Sequence, residues 1–262
     1  MMNDDFDSLR RRQPQRSLFA FALENLGSRI VKGDFPPGAL LPNEIDICTE
    51  LGASRSVIRE AIKSLAAKGL LEVRQKVGTR VLRQKHWNLF DLDVLGWRYN
   101  SMPRLEFFKE LFEIRRMIEP QGALLAAERA TDADIAELKS AFAAMSEPRR
   151  DNDSAIKADI RFHTAILDAG HNGLLSQMSP LISVGLLISF KVSNRSFDVF
   201  LKLHEAVLNA IVSRNPQSAW QAMDDLLIKT REFVERELID TERKDQIVAQ
   251  TISVIERGFD AP

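Results

Sequence analysis

Apolar positions recur at spacings of three and four over residues 17–33. Leu18, Phe19, Phe21, Ala22, Leu26, Ile30 and Val31 keep helical period there, and Gly33 ends the run. The glycines and prolines of "GDFPPGALLP" predict a turn region. Asn43 then caps a short predicted helix, Glu44 to Leu51, and Gly52 breaks the chain. A third helix runs from the Ser54 cap to about Lys68, with Val57, Ile58, Ala61, Ile62 and Leu65 on its inward side. Gly69 stops it. Residues 70–82 switch to period two around "QKVG", which predicts a β-hairpin turning at Lys76 to Gly78. Helix, helix, tight turn, helix and hairpin in that order make a winged helix-turn-helix.

Residues 83–103 show no long helical period, and Trp87, Phe90 and Trp97 are expected to anchor a connector. Beyond Pro103 almost everything reads as helix, at about 104–129, 132–146, 152–169, 173–192, 196–213 and 216–240. Thr131 with Asp134 predicts a capping box, and Asn215-Pro216 a cap followed by proline at the first helical position. Residues 241–258 predict a further, weakly amphipathic helix. The fold class is therefore mainly α, a winged helix-turn-helix followed by an all-helical antiparallel bundle. Its segments are a basic arm (1–16), the winged helix (17–83), the connector (84–103), the helical domain (104–240) and a C-terminal extension (241–262).

The outward side of the third helix changes this from a fold to a function. Arg55, Arg59 and Lys63 are spaced by four, one turn apart, and Ser56 stands beside them. In a helix-turn-helix the second helix enters the major groove with its N-terminal residues at the base edges. Arginine can donate two hydrogen bonds to guanine O6 and N7, which suits Arg55 and Arg59 as readers. Ser56 can reach a phosphate or a base, and Lys63 a phosphate. Lys76, Gly78 and Thr79 occupy the hairpin tip, where backbone can approach phosphate or enter a minor groove. A solvated charged face is the plain alternative.

Charge supports the sharper reading. Residues 1–86 hold 15 Lys+Arg against 10 Asp+Glu, a net of +5, while the remainder holds 21 against 27, a net of −6. A basic module on an acidic body fits an anion-binding front attached to a domain with another task. Composition is that of a soluble chain with a core, 45% apolar and 28% charged, so the class stays globular. The apolar run "VGLLISF" is too short to span a bilayer, and the N-terminus has no apolar stretch of the kind a secretory signal carries. The single cysteine, Cys48, excludes an intrachain disulfide and a multi-cysteine metal cluster. A cytoplasmic protein with no membrane partner is expected, with Cys48 as a small core residue.

The motifs "GDFPPGALLPNE", "GASRSVIREAIKSLAAKGLLEV" and "KVGTRV" resemble the DNA-binding domain of the GntR family of bacterial transcription regulators. The stretches "EIRRMIEPQGALLAAERAT", "ADIRFHTAILDAGHNGLL" and "LHEAVLNAIVSRNPQSAWQAM" resemble the helical effector-binding (FCD) domain of that family's FadR-type branch. The connector "HWNLFDLDVLGW" is similar to that of sugar-acid operon repressors of the branch, galactonate among them. The resemblance implies a homodimer on a short near-palindromic DNA operator, a repressor released by a small organic acid, a sugar acid above all, and no enzyme.

It also assigns candidate chemistry. Asp159 and His163 lie one turn apart on a helix, and His204 begins a second matching segment. A carboxylate and two imidazoles suit a divalent ion such as zinc. The resemblance makes these three the metal ligands, and makes Arg115 a residue that pairs with the effector's carboxylate. An ion pair of Arg115 with Glu119, four residues on, is the alternative. Two positions depart from the family. Ile45 replaces an arginine that contacts DNA after "LPNE", for which the arm Arg10-Arg11-Arg12 could compensate. Leu226 replaces the fourth metal ligand, and adjacent Asp225 is about 100° round the helix. Two other functions stay open on the residues alone. One is a metal-dependent hydrolase or lyase using Asp159, His163 and His204, although no general base stands near. The other is an architectural DNA-binding protein without ligand.

Overall fold

A computed structural model of the protein describes residues 18–74, 77–147, 152–192 and 197–259. Side chains are described there except at 152–153, 190–192, 197–199 and 241–259. The arm Arg10-Arg11-Arg12 and the hairpin residue Lys76 lie outside the described residues. The chain divides into two compact units, Met1–Pro103 and Arg104–Pro262.

In the first unit α1 (Leu18–Lys32), α2 (Glu44–Leu51) and α3 (Arg55–Ala67) precede a hairpin of β1 (Leu71–Arg74) and β2 (Gly78–Val81). Local chemistry sets the boundaries. The Asn43 side chain accepts from the Asp46 amide and starts α2, and the Ser54 hydroxyl accepts from the Val57 amide and starts α3. Between them Gly52 takes φ +61°, a left-handed turn that lets α3 leave α2 at an angle. Ile58, Ala61, Ile62 and Leu65 of α3 are buried with Ala22, Leu26 and Ile30 of α1 and Ile47 of α2 in one apolar cluster. Leu71 pairs with Val81 in antiparallel register, and both are buried.

Two departures from the sequence reading arise here. The proline-rich turn donates an edge to the sheet. Leu41 N–H bonds to Thr79 O, Val81 N–H to Ala39 O, and Leu40 bridges Arg80. The connector is also largely helical, with a 3-10 turn (Gln84–His86) followed by α4 (Leu92–Ser101) capped by Asp91. Val94, Leu95, Gly96 and Trp97 are buried in succession. A helix buried over consecutive positions carries no one-sided stripe, so period counting cannot find it. Trp97 lies on α1 at Gly27, where an added Cβ would collide with the six-membered ring of the indole. Lys68, after α3, forms ion pairs with Asp91 at 2.7 Å and Asp93 at 2.8 Å. Of the three aromatic anchors, Trp97 is buried and Trp87 half-buried with its indole N–H on Leu82 O, while Phe90 is 57% exposed. Cys48 packs half-buried against the core.

The second unit is helical throughout its described residues: α5 (Arg104–Arg129), α6 (Asp132–Ser146), α7 (Asn152–Ala169), α8 (Gly173–Ser176), α9 (Ser179–Val192), α10 (Phe197–Val212) and α11 (Pro216–Phe259). The Thr131–Asp134 capping box starts α6. Asn215 accepts from the Ser218 amide at the start of α11. Helix α5 lies centrally, packed against α7, α9, α10 and α11. The single helix expected over 173–192 is divided at Gln177 and Met178, and Pro180 stands in the first turn of the second piece, where its missing N–H costs nothing. Conversely, the separate helix expected at 241–258 is the continuation of α11. No described helix is long and apolar enough to cross a membrane.

Candidate DNA-binding face and buried polar cluster

On α3 the side chains of Arg55, Ser56, Arg59 and Lys63 are all exposed, on the side opposite the buried core positions. Arg59 Nε donates to Glu44 Oε2 at 2.7 Å. This bond brings the start of α2 beside α3 and occupies Nε, while the two terminal nitrogens are the pair that a guanine edge needs. The Ser56 hydroxyl meets that of Ser54 at 2.9 Å, and Lys63 lies 2.9 Å from Glu60. Ile45, next to Glu44, is 56% exposed. At the hairpin Gly78 is exposed and Thr79 half-buried.

The second unit buries a different chemistry. Asp159 and His163 project from α7 and His204 from α10, and among the described residues these three alone converge as potential metal ligands. His163 Nε2 lies 3.2 Å from His204 Nε2 and 3.7 Å from Asp159 Oδ1, and His204 Nε2 lies 3.1 Å from that same oxygen. Phe162 stacks edge-on against both imidazoles, which stand perpendicular to one another. The outer ring nitrogens are also engaged. His163 Nδ1 lies 2.5 Å from Glu119 Oε2, and His204 Nδ1 lies 2.7 Å from the Phe200 carbonyl oxygen. A carbonyl oxygen only accepts, so His204 Nδ1 carries a hydrogen and Nε2, in the neutral ring, a lone pair.

Glu119 joins this cluster as well, a residue that spacing alone marks only as an ion-pair partner for Arg115. It is 1% exposed and lies in α5 between Arg115 and His163, with Oε1 2.5 Å from Arg115 Nε. Burial disfavours its ionisation, but the charges of Arg115 and then His163 prevail and hold the carboxyl at about 2. Asp159 is likewise held below the usual carboxylate range, its burial outweighed by the hydrogen bond that His204 donates when protonated and by the charge of a protonated His163. Arg115 is itself 1% exposed, and a terminal nitrogen reaches Ser189 Oγ at 3.4 Å. Gly185 of α9 makes the room, since a Cβ there would stand 2.6 Å from Arg115 Cδ. The ion pair with Glu119 is thus the arrangement in which Arg115 is found.

Leu226 is a buried core residue of α11. Asp225 is exposed and accepts from Gln221, so it does not substitute for the absent ligand. Asp224 is buried in a two-bond fork with Arg116 at 2.6 and 3.0 Å. His171 is a turn residue at φ +47° bonded to Asp134, away from this chemistry.

Three donor atoms 3.1–3.7 Å apart fit a small cation. With metal–donor distances of ~2.0–2.1 Å, tetrahedral ligands sit roughly 3.3 Å from one another. Three protein ligands also leave a position for an exogenous oxygen. Asp159 has the most exposed side chain of the three, at 13%.

The model of bacterial regulatory proteins of the gntR family matches residues 20–81, and that of the FCD domain matches residues 110–229. The galactonate operon transcriptional repressor of Escherichia coli is 36% identical over 201 residues, 75% of this chain and 88% of the relative. The HTH-type transcriptional regulator LutR of Bacillus subtilis is 31% identical over 74% of this chain and 90% of its own length. The Glc operon transcriptional activator of Escherichia coli is 28% identical over 82% and 86%. Among solved structures, that of Lar, described as controlling the expression of the Listeria monocytogenes agr system, covers 86% of this chain and 99% of its own, with a TM-score of 0.60 at 16% identity, a likeness of fold. On these matches the chain belongs to the gntR family of bacterial regulatory proteins, and it is a DNA-binding transcription regulator rather than the metal-dependent hydrolase or lyase that its Asp and His residues alone left open.

Proposed function

We propose that the chain represses an operon for the catabolism of a sugar acid or related hydroxycarboxylate, and that the acid releases it from DNA as it binds the cluster of Asp159, His163 and His204. The observation that carries the reading is the convergence of those three side chains in the helical unit of a chain that also bears a winged helix. Asp159, His163 and His204 would hold a divalent cation, zinc or a similar ion, whose charge would offset that of Asp159 and attract an oxygen of the acid. The similarity to a galactonate operon repressor supports an acid of that class. Release requires that the acid bind the free conformation better than the operator-bound one, because a ligand with equal affinity for both shifts nothing. Two copies on a near-palindromic operator complete the assembly, since a helix-turn-helix dimer reads two half-sites.

A thermal-shift screen of sugar acids, with a divalent metal and with chelator, tests the ligand half. An acid of this class is expected to raise the melting temperature by mass action, and to do so only with metal present. The same acid should lower operator affinity. Stabilisation with no change in DNA binding would overturn release, and stabilisation indifferent to chelator would overturn the metal.

Arg55, Ser56, Arg59 and Lys63 are the proposed reading face, with Lys76, Gly78 and Thr79 of the wing against the backbone. Arg59→Ala is expected to cost ~1–3 kcal/mol on the operator and much less on random DNA. Equal losses on both would make Arg59 a phosphate contact, and no loss on either would remove α3 from the interface.

A further inference from the structure

The imidazole of His163 can offer Nε2 to a cation only if its hydrogen sits on Nδ1. Nothing within the ring decides this, because both neutral tautomers are accessible and the partner of the other nitrogen makes the choice. His204 is settled by the Phe200 carbonyl of its own helix. His163 has instead a side-chain partner from another helix, the Glu119 carboxylate of α5, whose second oxygen is taken by Arg115.

We propose that Glu119 is the positioning residue of the cluster: held by Arg115, it keeps the hydrogen of His163 on Nδ1 and turns the Nε2 lone pair toward Asp159 and His204. A carboxylate only accepts, so it selects the tautomer that donates to it. Arg115 only donates, so it fixes which oxygen of Glu119 remains for His163. The assignment rests on the metal reading given above, and it gives Arg115 a new role. With its Nε on Glu119, its side chain 1% exposed and Gly185 closing over its Cδ, Arg115 acts on the cluster through Glu119.

Glu119→Gln tests this because it keeps the shape and changes the logic. Arg115 has no acceptor, so the glutamine oxygen turns to Arg115 and its amide NH2 faces His163. An NH2 can only donate, so His163 must accept at Nδ1 and carry its hydrogen on Nε2, where it blocks the cation. The experiment uses the full chain labelled with nitrogen-15 at its four histidines. It is freed of metal and brought up in pH until the histidine nitrogen signals no longer move, so that neutral rings are compared. Histidine nitrogen spectra then report each tautomer, with His163→Gln assigning the signal. Zinc affinity is measured beside them by chelator competition.

The wild type is expected to show Nδ1–H at His163, and Glu119→Gln to show Nε2–H with zinc affinity about 10–100-fold lower. A side chain that merely supported the fold would not move the hydrogen. Nε2–H in the wild type overturns the proposal, and that measurement decides even if the variant does not fold. Nδ1–H retained in a folded variant overturns it as well, as does a reversed tautomer with unchanged zinc affinity. If the wild type takes up no zinc, the metal reading fails on its own, and the tautomer of the two proteins still tests the role of Glu119.

Discussion

Glu119→Ala is expected to destabilise the helical unit of the metal-free chain by ~3–5 kcal/mol, the cost of removing one partner from a buried ion pair. Arg115 is 1% exposed and would keep its charge in the interior, with Ser189 as its remaining hydrogen-bond partner among the described residues. The Nδ1–H of His163 would lose its acceptor at the same time. Alanine supplies neither a bond nor the volume to close over the gap. The calorimetric transition carrying α5 and α7 reports the loss, and a shift worth under 1 kcal/mol would show that water or a rearranged Ser189 replaces the carboxylate.

The same pair predicts a pH dependence of definite sign. The Glu119 carboxyl titrates at about 2 in the folded chain against an ordinary value of 4.5. A depressed acid stabilises fully above its unfolded pKa and loses that contribution as pH falls through its folded one. The share of the gap between wild type and Glu119→Ala that comes from this ionisation is therefore complete above about 4.5 and is lost between there and about 2. A gap that widened as pH fell below about 4.5 would mean that the variant's defect lies elsewhere than in the lost carboxylate.

The winged helix was legible in residue order because its signals are local. Caps at Asn43 and Ser54, the break at Gly52 and the one-sided stripe of Ile58, Ala61, Ile62 and Leu65 each act within a turn or two of chain. The meeting of Asp159, His163 and His204 was reached only through resemblance, since an Asp and a His at a spacing of four occur on countless helices. Glu119 was hidden for a related reason. Four residues from Arg115 it reads as half of a surface pair, and its contact with His163 crosses 44 positions of sequence. Helix α4 was missed because burial of four consecutive residues erases the period that marks a helix. The C-terminal end of α11 reads as a separate helix for the opposite reason: its amphipathic stripe weakens past residue 240 while the backbone carries on to Phe259.

Trp97→Ala is expected to cost ~3–5 kcal/mol in the first unit, as truncation of a buried tryptophan does. Trp97 is 1% exposed and joins the cluster built by α1, α3 and the hairpin, so its loss opens a cavity where α4 meets α1. Among the described residues its indole N–H has no hydrogen-bond partner, which offsets part of the gain from burying the ring and places the expected loss toward the lower end of that range. The facing glycine makes the test specific. Gly27 lies within α1, where alanine alone would favour the helix by ~1 kcal/mol. In the wild type that methyl collides with the indole, so Gly27→Ala is expected to destabilise. In the Trp97→Ala background the ring is gone, and the same methyl fills space and favours the helix, so its sign reverses. Hydrogen exchange at α1 and α4 amides of the full chain reads both backgrounds, and the double-mutant cycle isolates the pair. Additive effects, with Gly27→Ala equally harmful in both, would show that Trp97 does not pin α4 to α1.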